Sequence, residues 1–110
     1  MKIKKQIIHE KYVIKFTAED DDKEVGRAYL YLIHNDLHEE PYGLLEDVFV
    51  EGECRSQGIG RELVLAVIEE AKVQKCYKLI GTSRYSRENV HRFYKSLGFK
   101  DHGIEFRIDF

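Results

Sequence analysis

The chain has no tryptophan, one proline, one methionine and only two cysteines in 110 residues. Each scarcity excludes something. Cys54 and Cys76 cannot build a disulfide framework and fit no metal-ligand spacing, so they read as reduced thiols of a cytoplasmic protein. An excess of positive charge is missing too: 18 basic side chains face 20 acidic ones, a formal net charge of −2. That balance gives no footprint for nucleic acid. No apolar run approaches the roughly 20 residues of a membrane span, so no membrane partner is expected. The opening "MKIKKQIIHEKYV" has lysines but neither an unbroken apolar core nor a small-residue cleavage site, and it is not read as a signal peptide. Repeats, low-complexity tracts and linkers are absent, and a single domain spanning 1–110 is expected.

What is present is a change of pattern halfway along. "KIKKQII" and "YVIKFTA" are β-branched and aromatic, separated by the polar break His9-Glu10-Lys11. The acidic run Glu19 to Glu24 reads as a turn, Val25 to Ile33 as a third strand apolar on both faces, and Leu44 to Val50 as a fourth. "HNDLHEEPYG" between them, with the lone proline, is a loop. Its His34 and His38 stand four apart beside carboxylates, but a solvated acidic loop explains them better than a metal site. Four strands with short connections suggest an antiparallel meander.

After Gly60 the period becomes helical. Ile59, Leu63, Val64, Val67, Ile68 and Ala71 form one apolar stripe from about residue 58 to 74. Tyr77 to Ser83 then reads as a fifth strand, parallel to the fourth because a helix crosses between them. A second helix is expected over Glu88 to Leu97. Ser86 would be its N-cap, Val90, Phe93, Tyr94 and Leu97 its stripe, and Gly98 its stop. Strands near Phe99 and over Glu105 to Phe110 would close the chain. The expected class is α+β: a mixed, mostly antiparallel sheet with two main helices.

The stretch "CRSQGIGREL" holds the chemistry. Strand, glycine turn and helix N-terminus together make an anion cradle: the first helical N–H groups are unpaired, and the dipole adds about half a positive charge. Gly58 and Gly60 carry no side chain to obstruct those donors, and Arg55 and Arg61 add cationic reach. A tight turn with no ligand is the plainer reading of a glycine pair alone. Two familiar phosphate motifs fail: Gly60 is followed by Arg61-Glu62 rather than lysine and a hydroxyl, and position 63 is leucine rather than a third glycine.

"RSQGIG" resembles the pyrophosphate loop of the GNAT superfamily of N-acetyltransferases. "LEDVFV" is similar to that family's fourth strand, and "SRENVHRFYKSLGF" to its second motif. The resemblance covers residues 44 to 110 and extends to the preceding hairpin. It implies an acyl-CoA N-acyltransferase fold whose fourth and fifth strands splay apart. It also implies acetyl-CoA held by Arg55, Ser56, Gln57, Gly58, Ile59, Gly60 and Arg61, and by the backbones of Val48, Phe49 and Val50, with Asn89 bonding the pantetheine arm. Tyr94 matches the tyrosine that protonates the departing thiolate, although it also fits the apolar stripe beside Phe93. The Val48 N–H would polarise the thioester carbonyl.

The amine acceptor needs a base, because a lysine-like amine is protonated at neutral pH. Glu46 is placed for it if the extended strand keeps Glu46 on one face with Val48 and Val50, subject to the bulge that the resemblance implies there; Asp47 would fall on the other. An exposed edge carboxylate is the equal alternative. Direct transfer is preferred to an acetyl-enzyme on Cys54, since no histidine is arranged to activate it. The resemblance implies two helices between the first strand and the hairpin, and only about eleven residues precede Tyr12, so a small form without them is expected. A homodimer is expected, using the C-terminal "EFRIDF". The expected function is transfer of acetyl from acetyl-CoA to a primary amine: a small molecule, a polyamine or a protein amine. The alternative is a non-catalytic acyl-CoA-binding module, or a subunit that needs a partner chain.

Overall fold

The computed structural model describes residues 1–9 and 12–110. Strands β1 (Lys2–His9), β2 (Val13–Asp20), β3 (Lys23–Ile33) and β4 (Tyr42–Val50) precede helix α1 (Ile59–Val73), strand β5 (Leu79–Gly81) and helix α2 (Glu88–Ser96). They form one sheet in the order β1-β2-β3-β4-β5. The first four strands are antiparallel neighbours, and β5 runs parallel to β4. The expected meander, crossover helix and mixed sheet are all present. Of the expected polar break, His9 ends β1, while Glu10 and Lys11 lie outside the described residues.

Local chemistry explains most boundaries. The acidic run is a narrower turn than expected: β2 and β3 extend into it, leaving Asp21 and Asp22 at φ 52° and 61°. Two left-handed residues make the hairpin turn whose twist matches that of its strands, and aspartate tolerates that region. Between β1 and β2 no helix occurs among the described residues.

The core lies between one sheet face and α1. Ile14, Phe16, Ala18, Ala28, Leu30 and Leu45 from the sheet are buried with Ile59, Leu63, Val64, Val67 and Ala71 from the helix. Burying each large aliphatic side chain stabilises the fold by about 1.5–3 kcal/mol. Gly26 lets α1 approach the sheet closely: a Cβ there would lie 3.1 Å from Leu63 Cδ1 and 3.2 Å from Ile59 Cγ2. The opposite face carries Lys15, Arg27, Tyr29 and Glu46, all at least partly exposed.

Both helices end on a left-handed residue with paired backbone bonds. At α2, Gly98 (φ 101°) donates to the Lys95 carbonyl and Phe99 to the Tyr94 carbonyl, so the expected glycine stop is present. At α1 the same position is held by Lys75, φ 61°. Other expectations give way. Ser86 is not the N-cap of α2; Arg87 is, with no side-chain cap bond. Strand β5 is only three residues long, because β4 diverges from it. Residues 99–110 form no strand, since no strand among the described residues pairs with them.

Thr17 and Glu70 are the buried polar residues among those described, and Glu70 alone is ionisable as a carboxylate. Glu70 on α1 accepts from Lys5 Nζ (2.8 Å) and from Gln74 Nε2 (2.7 Å). Burial by itself pushes its carboxyl up, but the two donors and the Lys5 charge outweigh that and hold it below the ordinary carboxylate value. A depressed folded-state pKa means stability that is complete above the unfolded value and lost as pH falls through the folded one. Lys5→Met should therefore cost about 1–2 kcal/mol at pH 7. The difference from wild type should shrink as the pH falls below the usual carboxylate range. Denaturant midpoints measured from pH 7 to pH 3 check both statements; a difference that grows on acidification would contradict them.

Candidate functional site

The site is set by where β4 and β5 stop pairing. Their register runs Gly43↔Leu79, Leu44↔Ile80, Leu45↔Gly81 and ends. Beyond Leu45, β4 continues to Val50 paired with β3 alone. The backbone of residues 46 to 50 thus has an open edge on the β5 side, which is the expected splay. The departure coincides with a bulge: pairing shifts from Tyr29↔Glu46 to Arg27↔Phe49, and Asp47 adopts φ 52°. Arg27 grips the bulged residue, its Nε 2.9 Å from Asp47 Oδ2 and its Nη2 3.4 Å from Oδ1.

The bulge corrects the sequence-based facing. Glu46 does not share a face with Val48 and Val50. It stands opposite Tyr29, on the face that also carries Arg27 and Phe49, while Val50 stands opposite Gly26 on the α1 face. One extra residue inverts the alternation after it. Asp47 is not a free carboxylate either, since Arg27 holds it.

At the end of β4 a 3₁₀ turn (Gly52–Cys54) leads into the glycine turn. Ser56 and Gly58 are both left-handed, with φ 66° and 81°. Gly58 is the N-cap of α1, and no side chain caps that helix. The first helical bond runs from the Glu62 N–H to the Gly58 carbonyl, 3.0 Å, so the N–H groups of Ile59, Gly60 and Arg61 have no partner within the helix. They open on a cavity of about 280 Å³ lined by Val50, Cys54, Arg55, Ser56, Gly58 to Arg61 and Phe93. Alternating left-handed residues before a helix make a concave set of N–H donors suited to an anion.

The two glycines do different work. A Cβ on Gly58 would meet nothing within 4 Å, so its need is conformational. A Cβ on Gly60 would sit 3.8 Å from Val50 Cγ2 and 3.9 Å from Phe93 Cζ, between the cavity walls. Arg55 donates through Nε to the Val50 carbonyl (3.0 Å) and lies over the Phe49 ring, which fixes the loop to the strand. Arg61 is exposed at the rim. Gln57 is exposed and is not among the residues lining the cavity at the α1 N-terminus, and Asn89 is exposed with its Oδ1 taken by Arg92 Nη2 at 2.6 Å.

On the far side of the splay stands Tyr94. Its ring packs on Phe93 and Phe99, centroids 5.5 and 5.2 Å away, and its Cζ is 3.9 Å from where a Gly81 Cβ would be. It lines a second, wider cavity of about 1020 Å³, bounded by residues 78 to 85 on one side and 99 to 105 on another. Burial raises the phenol pKa, and the negative charge of Glu46 raises it further. The phenol therefore stays protonated through neutral pH. Sequence reasoning missed Phe93 as a wall of the first cavity; its adjacency to Tyr94 on α2 was the available signal. No group of three or more metal-ligating side chains occurs among the described residues, and His38 stacks on Tyr77 at 3.9 Å.

Residues 3–99 match the acetyltransferase (GNAT) family. The chain is 36% identical over 67 residues to the glucosamine 6-phosphate N-acetyltransferase of Trypanosoma brucei brucei, a match that covers 61% of this chain and 44% of that protein. It spans between 39% and 55% of the length of the curated relatives it matches. A solved acetyltransferase from Trypanosoma brucei is 29% identical, with a TM-score of 0.79 over 89% of this chain and 69% of that one. An aminoglycoside N-acetyltransferase in complex with CoA is 22% identical and shares the fold, with a TM-score of 0.74 over 89% of this chain and 77% of that one.

The different tasks of the glycines give opposite expectations. Gly58→Ala forces a Cβ into the left-handed region and should cost about 1–2 kcal/mol of stability. Gly60→Ala sits in a helical turn with room for a methyl group and should stabilise the apo protein by up to about 1 kcal/mol. Thermal midpoints of the two variants check this; shifts of the same sign would contradict the assignment.

Proposed function

The chain belongs to the GNAT family of acetyltransferases, and from that premise we propose that it moves the acetyl group of acetyl-CoA directly to a primary amine. The observation that carries the reading is the uncapped N-terminus of α1, opening through Ser56 and Gly58 onto its own cavity at the foot of the splay. Orphan N–H donors at a helix N-terminus favour an anion of pyrophosphate type. The CoA-bound aminoglycoside acetyltransferase of the same fold supports that ligand. Acetyl-CoA, when bound, supplies the activated acyl group and the thiolate leaving group.

The chain's own groups divide the remaining work. The open edge of residues 46 to 50 offers backbone N–H and C=O groups to an extended amide chain, and the Val48 N–H polarises the acyl carbonyl. Glu46, at the opening, accepts the proton of an incoming ammonium, directly or through water. Tyr94, held protonated by burial and by Glu46, donates its proton to the departing thiolate. The curated relative acts on an amino sugar, so amino sugars lead the panel of acceptors, followed by polyamines and peptide amines.

Acetyl-CoA should raise the thermal midpoint, because a ligand that binds only the folded state stabilises it. Gly60→Leu, which fills the space between Val50 and Phe93, should abolish the rise without unfolding the chain. An unchanged rise in that variant would refute the cradle.

Turnover separates acid from base. Tyr94→Phe keeps the packing of the ring and should leave acetyl-CoA binding intact while slowing turnover at least about tenfold. Glu46→Gln should lose most at neutral pH and progressively less as the amine deprotonates unaided. Released thiol measured against pH for both variants is the check, and wild-type turnover in Tyr94→Phe would leave that ring a packing role only.

A further inference from the structure

We propose, resting on the acetyl-transfer reading, that the acceptor is a monocationic primary amine bound on the sheet face opposite α1. Its ammonium meets Glu46, and its apolar body lies on the rings of Tyr29 and Tyr31. Glu46 stands directly opposite Tyr29, and cross-strand neighbours place their Cβ atoms about 4.5–5.5 Å apart. Tyr31 follows two residues along β3 and so shares that face. The two rings have centroids 6.3 Å apart and are tilted by 33°, which makes a nearly continuous aromatic surface. The row that carries Tyr31 runs on through Leu44 to Ile80, across β4 and β5. Tyr31 is 37% exposed and Glu46 is exposed, although both sit on strands interior to the sheet.

The charges on this face select the occupant. Lys4 lies 2.9 Å from Glu19, Lys15 3.3 Å from Glu24 and Arg27 2.9 Å from Asp47. Those carboxylates are matched, whereas the Glu46 side chain has no ion pair or hydrogen bond among the described residues. One unmatched negative charge beside two aromatic faces suits one ammonium: the carboxylate balances its charge, and the ring faces attract both the cation and the C–H groups that carry it. The second ammonium of a polyamine finds no free carboxylate here. It meets Lys15 instead, whose Nζ stands 6.0 Å from the centre of the Tyr29 ring. Neither cavity has Glu46, Tyr29 or Tyr31 in its wall. The acceptor surface is thus separate from the cradle at the α1 N-terminus, and both ligands can be held at once, as direct transfer requires.

The aromatic NMR spectrum of the full chain reads amine binding whether or not acetyl is transferred. Glucosamine and phenethylamine, titrated separately, should each shift the ring signals of Tyr29 and Tyr31, identified by comparison with Tyr29→Phe and Tyr31→Phe. Tyr85, on the wall of the wide cavity, should not respond. Spermidine should bind at least about tenfold more weakly than either monoamine. In turnover, Tyr31→Ala should raise the KM for the monoamines about threefold to tenfold, more than it changes kcat, and leave the KM for acetyl-CoA alone. Tyr31→Phe should restore the amine KM. Tyr31→Glu supplies the second carboxylate that the face lacks and should turn the preference toward spermidine. The Tyr31 side chain is at the surface, so circular dichroism should be unchanged in all three. Shifts confined to Tyr85, spermidine binding as tight as that of the monoamines, or an amine KM untouched by Tyr31→Ala each overturn the proposal. Shifts of Tyr29 and Tyr31 without turnover would refute the transfer reading and leave the acceptor surface standing.

Discussion

The rest of this structure depends on the early end of the β4–β5 pairing. Two parallel strands share three registered residues and then diverge, and the divergence keeps the backbone edge of residues 46 to 50 available. An edge left open in a sheet interior is a place where another extended chain can bond. The N-terminus of α1 lies at one end of that opening and the Tyr94 hydroxyl at the other, each with its own cavity. If β5 followed β4 to Val50, those backbone groups would be consumed by the sheet.

The bulge at Asp47 is how β4 leaves its neighbour. It places a non-glycine residue at φ 52°, a conformation that persists only where its surroundings hold it. The surroundings here are two hydrogen bonds from Arg27 on the adjacent strand. As a part-exposed ion pair these contribute on the order of 1 kcal/mol or less to stability, so their value is positional. By inverting the alternation after Glu46, the bulge turns Val50 to the α1 face and Phe49 to the face of Arg27, while Glu46 keeps its place opposite Tyr29. Burial, and then the negative charge of Glu46, raise the Tyr94 phenol pKa.

Architecture and site were legible to different depths. The hairpin strands, the stripe of α1 and the Gly98 stop come from periods and glycine preferences that act within a few residues, and each stands where the pattern put it. The phosphate-type turn was legible as a glycine pair before a helix. Its detail was not: Ser56 rather than Gly60 shares the left-handed geometry with Gly58, because a turn sets dihedral angles by how its ends are anchored. The shared face of Glu46, Val48 and Val50 was legible only subject to a bulge, and the bulge at Asp47 separates them, since alternation along a strand is reliable only until a neighbour imposes one.

By itself, then, the sequence determined the class of fold, the order of its elements, the cradle segment and the tyrosine beside it, because hydrophobic period, glycine placement and motif order are carried by the chain itself. Tertiary structure alone decided how far β5 runs, which face Glu46 takes, which glycine needs its left-handed backbone and which stands at the cavity wall. It also decided that residues 99–110 find no partner in their own sheet. Those outcomes depend on register between strands distant in sequence, and a shift of one residue there, which leaves every local pattern unchanged, moves each side chain to the opposite face.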